Sequence, residues 1–145
     1  MISNDKEEEQ MPTILVVEDD VDLCELITFN LTHAGYNVLA CHNGSEALAV
    51  LAEHYRAIKL IILDLGLPVV RGSQMIRQMK QDPILRQIPL LLCTASEPPA
   101  IVQGLNNGAD DYLQKPFSIQ KELLLRIQVL LNRARRSYSD EQHKK

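Results

Sequence analysis

The chain lacks any long apolar run, and no segment approaches the roughly 18 consecutive apolar residues that a membrane span requires. It also lacks a secretory signal, because its first residues are polar and acidic, with the run Asp5-Lys6-Glu7-Glu8-Glu9. These two absences predict a soluble, cytoplasmic protein with no membrane association.

Cysteines are few and no two form a CxxC pair. Cys24, Cys41 and Cys93 each lie in an apolar context, which favours buried, reduced thiols over a disulfide or a zinc site.

An excess of positive charge is also absent, since the formal net charge is -4. This balance argues against a nucleic-acid surface on the globular part, and we expect no direct nucleic-acid binding by this chain. The basic group Arg133, Arg135 and Arg136 is confined to the last predicted helix.

The length of 145 residues and the apolar content of 46% fit one domain with a real core and leave no room for a second folded domain. We expect a disordered acidic leader at 1–11, a single domain at 12–134 and a polar tail at 135–145.

Strand-like and helix-like segments alternate along the chain. In the first helix, Leu23, Ile27 and Leu31 share a face with Leu26, and Gly35 is placed to end it. Further helices are predicted at about 44–55, 72–81, 98–107 and 118–136. Apolar runs predict strands at 13–17, 37–41, 60–63, 89–93 and 111–113. The pattern is (βα)5, a doubly wound parallel sheet whose ligands bind beyond the carboxyl ends of the strands.

Polar residues follow several of these strands. Asp64 ends the run Leu60–Leu63, and Glu18-Asp19-Asp20 ends the run Ile14–Val17. Three carboxylates (Glu18, Asp19, Asp64) in one cleft would repel one another unless a divalent cation neutralised them, so the pattern predicts a Mg²⁺ site. Asp20 is better explained as a helix N-cap.

Four motifs in register resemble the receiver domain of two-component response regulators, over about Pro12 to Arg133. They are Ile14-Leu-Val-Val-Glu-Asp-Asp20, Leu63-Asp-Leu-Gly-Leu-Pro68, Cys93-Thr-Ala95 and Gly108-Ala-Asp-Asp-Tyr-Leu-Gln-Lys-Pro-Phe117. The resemblance implies a flavodoxin-like sheet of order 2-1-3-4-5, as in chemotaxis regulators, with the ends of strands 1 and 3 side by side. The C-terminal motifs look most like regulators of the winged-helix DNA-binding class.

The resemblance also implies roles for the residues at the strand ends. Asp64 would accept a phosphoryl group from a histidine kinase or a histidine phosphotransfer protein. Mg²⁺ would be held directly by Asp19, Asp64 and the backbone carbonyl of Gly66, and through water by Glu18. Thr94 and Lys115 would contact the phosphoryl oxygens, with Lys115 directed inward by a cis peptide bond to Pro116.

A switch follows from the same resemblance. Thr94 would move toward the phosphoryl group, Tyr112 would fill the space it leaves, and the face of helix 4, strand 5 and helix 5 would change. That face would pair two copies through Asp110, Asp111 and Arg126. Some of the charges that such pairing uses are missing, because Gln103 and Asn106 are neutral.

Several alternatives stay open from the sequence. Taken singly, Asp64 could be a solvated strand-end carboxylate, Thr94 a strand former, Lys115 an exposed lysine and Tyr112 a half-buried strand aromatic. A magnesium-dependent phosphatase or phosphotransferase usually has a second Asp at the position of Gly66. A receiver fold that acts without phosphorylation usually lacks one of the key residues, and this chain has them all. We therefore expect a switch, able to catalyse its own phosphorylation and dephosphorylation, more than an enzyme with a free substrate.

Other features depart from the family pattern or leave the partners of the domain open. Arg71 stands where receivers often have Asp, and two prolines open the fourth helix. The chain could be a stand-alone receiver or one cut from a longer protein, and its kinase and downstream effector are not named by the sequence.

Overall fold

The computed structural model describes residues 11–68 and 70–143, and strands alternate with helices throughout. The strands are β1 (Thr13–Val17), β2 (Asn37–Cys41), β3 (Ile58–Leu63), β4 (Leu90–Thr94) and β5 (Asp111–Gln114). The helices are α1 (Val21–His33), α2 (Gly44–His54), α3 (Gly72–Gln81), α4 (Pro98–Asn106) and α5 (Leu124–His143). A 3-10 turn at Leu85–Gln87, which the sequence pattern did not predict, precedes β4.

All the strand pairings are parallel, and the order is β2-β1-β3-β4-β5. This confirms the predicted doubly wound, flavodoxin-like sheet. The connection from β1 runs to β2 on one side, and the connection from β2 crosses back to β3 on the other side of β1, so a crevice opens beyond the ends of β1 and β3. In register, Val17 lies beside Leu63, and the next residues of the two strands therefore meet at that crevice.

Alternate residues of the strands form two separate cores. Ile14 and Val16 of β1 pack with residues of α1 and α5, whereas Leu15 and Val17 pack on the other face with residues of α2 and α3. Both faces of the central strands are therefore covered, as their continuous apolar runs require.

Local signals set the ends of the helices. The Asp20 side chain accepts a hydrogen bond from the Leu23 N–H at 3.1 Å, which confirms its role as the N-cap of α1. Gly35 follows α1 with a φ of 104°, a conformation that glycine adopts at little cost. The two prolines Pro98 and Pro99 form the first positions of α4.

The prediction that Leu26 belongs to the buried face of α1 was wrong. Leu26 is 53% exposed, and the buried residues of the helix are Cys24, Ile27 and Leu31. A helix turns by about 100° per residue, which places Leu26 about 100° from the centre of the stripe formed by Leu23, Ile27 and Leu31. Cys24 lies nearer to that centre and takes the buried position.

The last helix differs from its predicted span of 118–136. It is preceded by a π-helical turn at Ile119–Leu123, capped by Ser118, and α5 then continues to His143. Its apolar stripe ends near Leu131, but residues 137–143 contain neither glycine nor proline, so nothing in that segment ends the helix.

The predicted leader, apart from Met11, lies outside the described residues. The three cysteines are buried, as expected. Among the helices in the described part of the chain, none has the length and apolar character needed to cross a membrane.

Candidate functional site

The site residues predicted from the sequence meet at the carboxyl edge of the sheet, which is the side where the parallel strands end. Glu18 and Asp19 follow β1, Asp64 follows β3, and Thr94 ends β4. The Asp64 N–H donates to the Val17 carbonyl at 3.2 Å, which fixes the two acidic segments side by side. Lys115 follows β5, two strands away, and its side chain reaches back to the acids.

Glu18, Asp19 and Asp64 form one carboxylate cluster. One oxygen from each lies within 4.8 Å of the others, with Glu18 and Asp64 buried and Asp19 exposed. Oxygen donors from carboxylates are the ligands that Mg²⁺ prefers, and mutual repulsion among three such groups favours a bound divalent cation. The donor set therefore fits a magnesium ion.

Lys115 bridges two of these acids. Its Nζ lies 2.8 Å from Glu18 Oε1 and 3.0 Å from Asp64 Oδ2. The Lys115-Pro116 peptide bond is cis, as predicted. One ammonium group thus partly neutralises two buried carboxylates.

The environment shifts the protonation of all three groups. Burial raises the pKa of Glu18, and the bonds it accepts from Lys115 and Asp20 offset this only in part. Burial also acts to raise the pKa of Asp64, but the Gly66 N–H, the Lys115 ammonium and the Thr94 hydroxyl lower it overall. Burial acts to lower the pKa of Lys115, but Glu18 and Asp64 raise it overall. Asp64 is therefore held in its ionised form.

Gly66 and Thr94 lie on either side of Asp64. The Gly66 N–H donates to Asp64 Oδ1 at 3.0 Å, and Gly66 is exposed. Thr94 is buried, and its Oγ1 lies 2.9 Å from Ser96 Oγ and 3.2 Å from the Ser96 backbone N. Ala95, exposed beside them, has no bulk to cover the carboxylate.

Tyr112 lies farther out, on β5. Its side chain is 41% exposed, so it is more open than the half-buried strand residue that the sequence alone suggested. Arg126 Nη1 donates to the Tyr112 carbonyl at 2.6 Å and lies 3.3 Å from Asp111 Oδ1. Asp111 and Arg126 are thus paired within one chain.

Sequence reasoning missed His42 as a neighbour of the acids. Its Nδ1 donates to the Glu18 carbonyl at 3.0 Å, and its backbone N–H donates to Glu46 Oε1 at 2.8 Å. His42 directly follows β2, and β2 lies beside β1 in the predicted order, so the strand order alone could have located it. The contact with Ser96 was missed because it depends on the rotamer of Thr94.

Comparisons with known proteins agree with this geometry. The family model for the response regulator receiver domain matches residues 14–128. Response regulator ArlR of Staphylococcus aureus is 41% identical over 124 residues, which are 85% of this chain and 54% of that protein. The chain thus spans about half the length of the curated relatives it matches.

Solved structures show the same similarity. A CheY-like receiver domain protein from Methanospirillum hungatei JF-1 has a TM-score of 0.80 and 25% identity, covering 88% of this chain and 99% of that one. The receiver domain of a signal transduction histidine kinase from Syntrophus aciditrophicus has a TM-score of 0.75 and 34% identity, covering 83% of this chain and 90% of that one. With the sheet order and the family match over most of its length, the chain belongs to the response regulator receiver domain family.

Proposed function

We propose that this domain, spanning about residues 12–134, is a signalling switch controlled by phosphorylation of Asp64. The observation that supports this most is the placement of Lys115 between Glu18 and Asp64, at 2.8 and 3.0 Å. A cation shared by two strand-end carboxylates is poised to contact a third anion, the phosphoryl group, on Asp64.

The phosphoryl group would come from the phosphohistidine of a histidine kinase or a histidine phosphotransfer protein. A carboxylate oxygen of Asp64 attacks the phosphorus, the P–N bond breaks, and the imidazole nitrogen leaves with the electron pair and takes up a proton. The product is an acyl phosphate. The lowered pKa of Asp64 keeps this oxygen deprotonated at neutral pH, and Gly66 and Ala95 leave the approach open.

The residues around Asp64 have separate roles. Asp19, Asp64 and the Gly66 carbonyl would hold Mg²⁺ directly and Glu18 through water, and the ion would supply positive charge for the phosphoryl oxygens. Lys115 would donate to one of those oxygens and Thr94 to another. The acidic cluster and the bridging lysine support this assignment.

The conformational change that follows phosphorylation would begin at Thr94. Its hydroxyl would leave Ser96 for the phosphoryl group, and Tyr112, which is 41% exposed, would turn into the vacated space. The face formed by α4, β5 and α5 would then change its partner binding.

We also propose that the partners are a sensor kinase or phosphotransfer protein upstream and a downstream protein effector. A homodimer through the same α4, β5 and α5 face would use Asp110, Asp111 and Arg126. Because Asp111 and Arg126 already contact each other within one chain, these two side chains would first have to exchange partners. Self-phosphorylation and autodephosphorylation would both occur at Asp64.

Intact-mass spectrometry after incubation with acetyl phosphate and Mg²⁺ tests the proposal. We expect a gain of one phosphoryl group, lost with a chelator and in Asp64→Asn. Asp20→Asn is the matched control, because asparagine caps helices as well as aspartate does, and it should be phosphorylated normally. A folded protein that gains no mass and ignores beryllofluoride with Mg²⁺ would instead be an interaction module that acts without phosphorylation.

A further inference from the structure

An open groove of about 900 Å³ lies at the amino edge of the sheet, which is the side where the parallel strands begin, opposite the acidic cluster. Its lining includes Pro12, Ile58 and Pro89, which lie at or just before the starts of β1, β3 and β4. Its other walls include aromatic and apolar side chains of several elements, among them Tyr36, Tyr55 and Leu131.

The groove is cationic. Arg56, Lys59 and Arg135 line it, and none of its described lining residues is acidic. Their contacts are with neutral groups. The Arg56 guanidinium lies 5.8 Å from the centre of the Tyr55 ring, and Lys59 Nζ donates to the Arg56 carbonyl at 3.1 Å. Among the side chains that the structure describes, the ion pairs shorter than 4 Å involve Lys115 and Arg126, so no described carboxylate neutralises the cations of the groove.

An anionic segment of the same chain precedes the groove directly. Met11 lines it, and the preceding residues include Asp5, Glu7, Glu8 and Glu9. An extended chain spans about 3.5 Å per residue, so Glu9 is within about 7 Å of Met11 and Glu7 within about 14 Å. A tether this short gives an effective concentration on the order of millimolar.

We propose that this groove, lined by Tyr36, Tyr55, Arg56, Lys59, Leu131 and Arg135, is the docking site of the acidic leader, Asp5 to Glu9, of the same chain. Charge complementarity and the short tether favour this occupant over an acidic peptide from another protein. Docking would connect the N-terminus to α5, whose Leu131 and Arg135 form one wall.

A spin label on Ser3→Cys in the full chain tests the proposal by nuclear magnetic resonance. The native thiols are at most 2% exposed, and burial raises their pKa values, so the label reacts at the introduced cysteine. We expect paramagnetic broadening of the amides of Tyr36, Arg56 and Ile58, and none near Asp64. Raising the salt to about 1 M, where the Debye length is about 3 Å, should reduce the broadening to the level that an undocked tether of the same length produces.

Reversing the charges on both partners distinguishes docking of the leader from chance proximity. The triple variant Glu7→Lys, Glu8→Lys, Glu9→Lys should show only the weaker broadening of an undocked tether, and adding Arg56→Glu and Lys59→Glu to it should restore the wild-type broadening. Unchanged amide shifts around Asp64 would show that each variant is folded. The proposal is overturned if the groove amides are broadened no more strongly in the wild type than in the triple variant. Broadening that appears only between labelled and unlabelled copies would assign the groove to a second molecule instead.

Discussion

Lysines and arginines at the carboxyl and amino edges of the sheet differ in their exposure and in the charge of the groups they contact. At the carboxyl edge, Lys115 is 20% exposed and lies within 3.0 Å of two buried carboxylates. At the amino edge, Arg56 and Lys59 are exposed and contact neutral groups. The difference shows that burial and partners, more than the number of charges, determine whether a cation changes the protonation of its neighbours or stays free to bind.

The largest expected effect is on stability without metal. Lys115→Met leaves Glu18 and Asp64 as buried carboxylates without their cation. Breaking a fully buried pair costs about 3–5 kcal/mol, and partial exposure reduces this to about 2 kcal/mol of unfolding free energy. Lys59→Met, the matched change at the amino edge, should cost less than about 0.5 kcal/mol. Urea denaturation at neutral pH checks both, and equal costs would remove the distinction between the edges.

The same difference should vanish at high pH. The pKa of Lys115 is raised from its usual value of 10.5, so its contribution is fully present below pH 10.5 and is lost as the pH rises through the folded-state value. We expect the wild type to approach Lys115→Met in urea midpoint above that pH. A gap that stays constant into that range would mean that the charge of Lys115 does not stabilise the fold.

Magnesium binding should change the free energy of unfolding by less than the loss of Lys115 does. A ligand that binds the native state at five times its Kd stabilises it by about 1 kcal/mol, which a thermal melt detects. Asp64→Asn should show much less of this gain, while Lys59→Met should show all of it. Equal stabilisation of wild type and Asp64→Asn would exclude Asp64 from the metal site.

The smallest expected effect concerns the pair between Asp111 and Arg126. The two side chains are 27% and 39% exposed, so a double-mutant cycle with Asp111→Asn and Arg126→Gln should give a coupling below about 0.5 kcal/mol. So weak a contact would leave Arg126 available for another copy of the chain. A coupling well above 1 kcal/mol would instead show that the contact between Asp111 and Arg126 is a stable part of the monomer.

Much of the fold was predictable because its signals are local and repeated. Apolar runs bounded by polar residues mark the strands, and Asp20, Gly35 and Pro98 mark helix ends. The meeting of Glu18, Asp19 and Asp64 followed once the strand order was assumed, because parallel strands end at one edge.

What sequence reasoning missed depends on side-chain direction. Leu26 matches the apolar pattern but points away from the core, and the contact between Thr94 and Ser96 depends on the rotamer of Thr94. The groove at the amino edge brings together side chains that are far apart in the chain, such as Tyr36, Lys59 and Arg135. No periodicity in the sequence encodes such a meeting.

The hydrogen bond between Thr94 and Ser96 has a consequence for the resting state. A bond of this kind contributes about 1 kcal/mol, so it favours the Thr94 rotamer that contacts Ser96 by a factor of about five. In the proposed switch, Ser96 would therefore set a threshold, because the phosphoryl group would have to attract the Thr94 hydroxyl more strongly than Ser96 does before the face of α4, β5 and α5 changes.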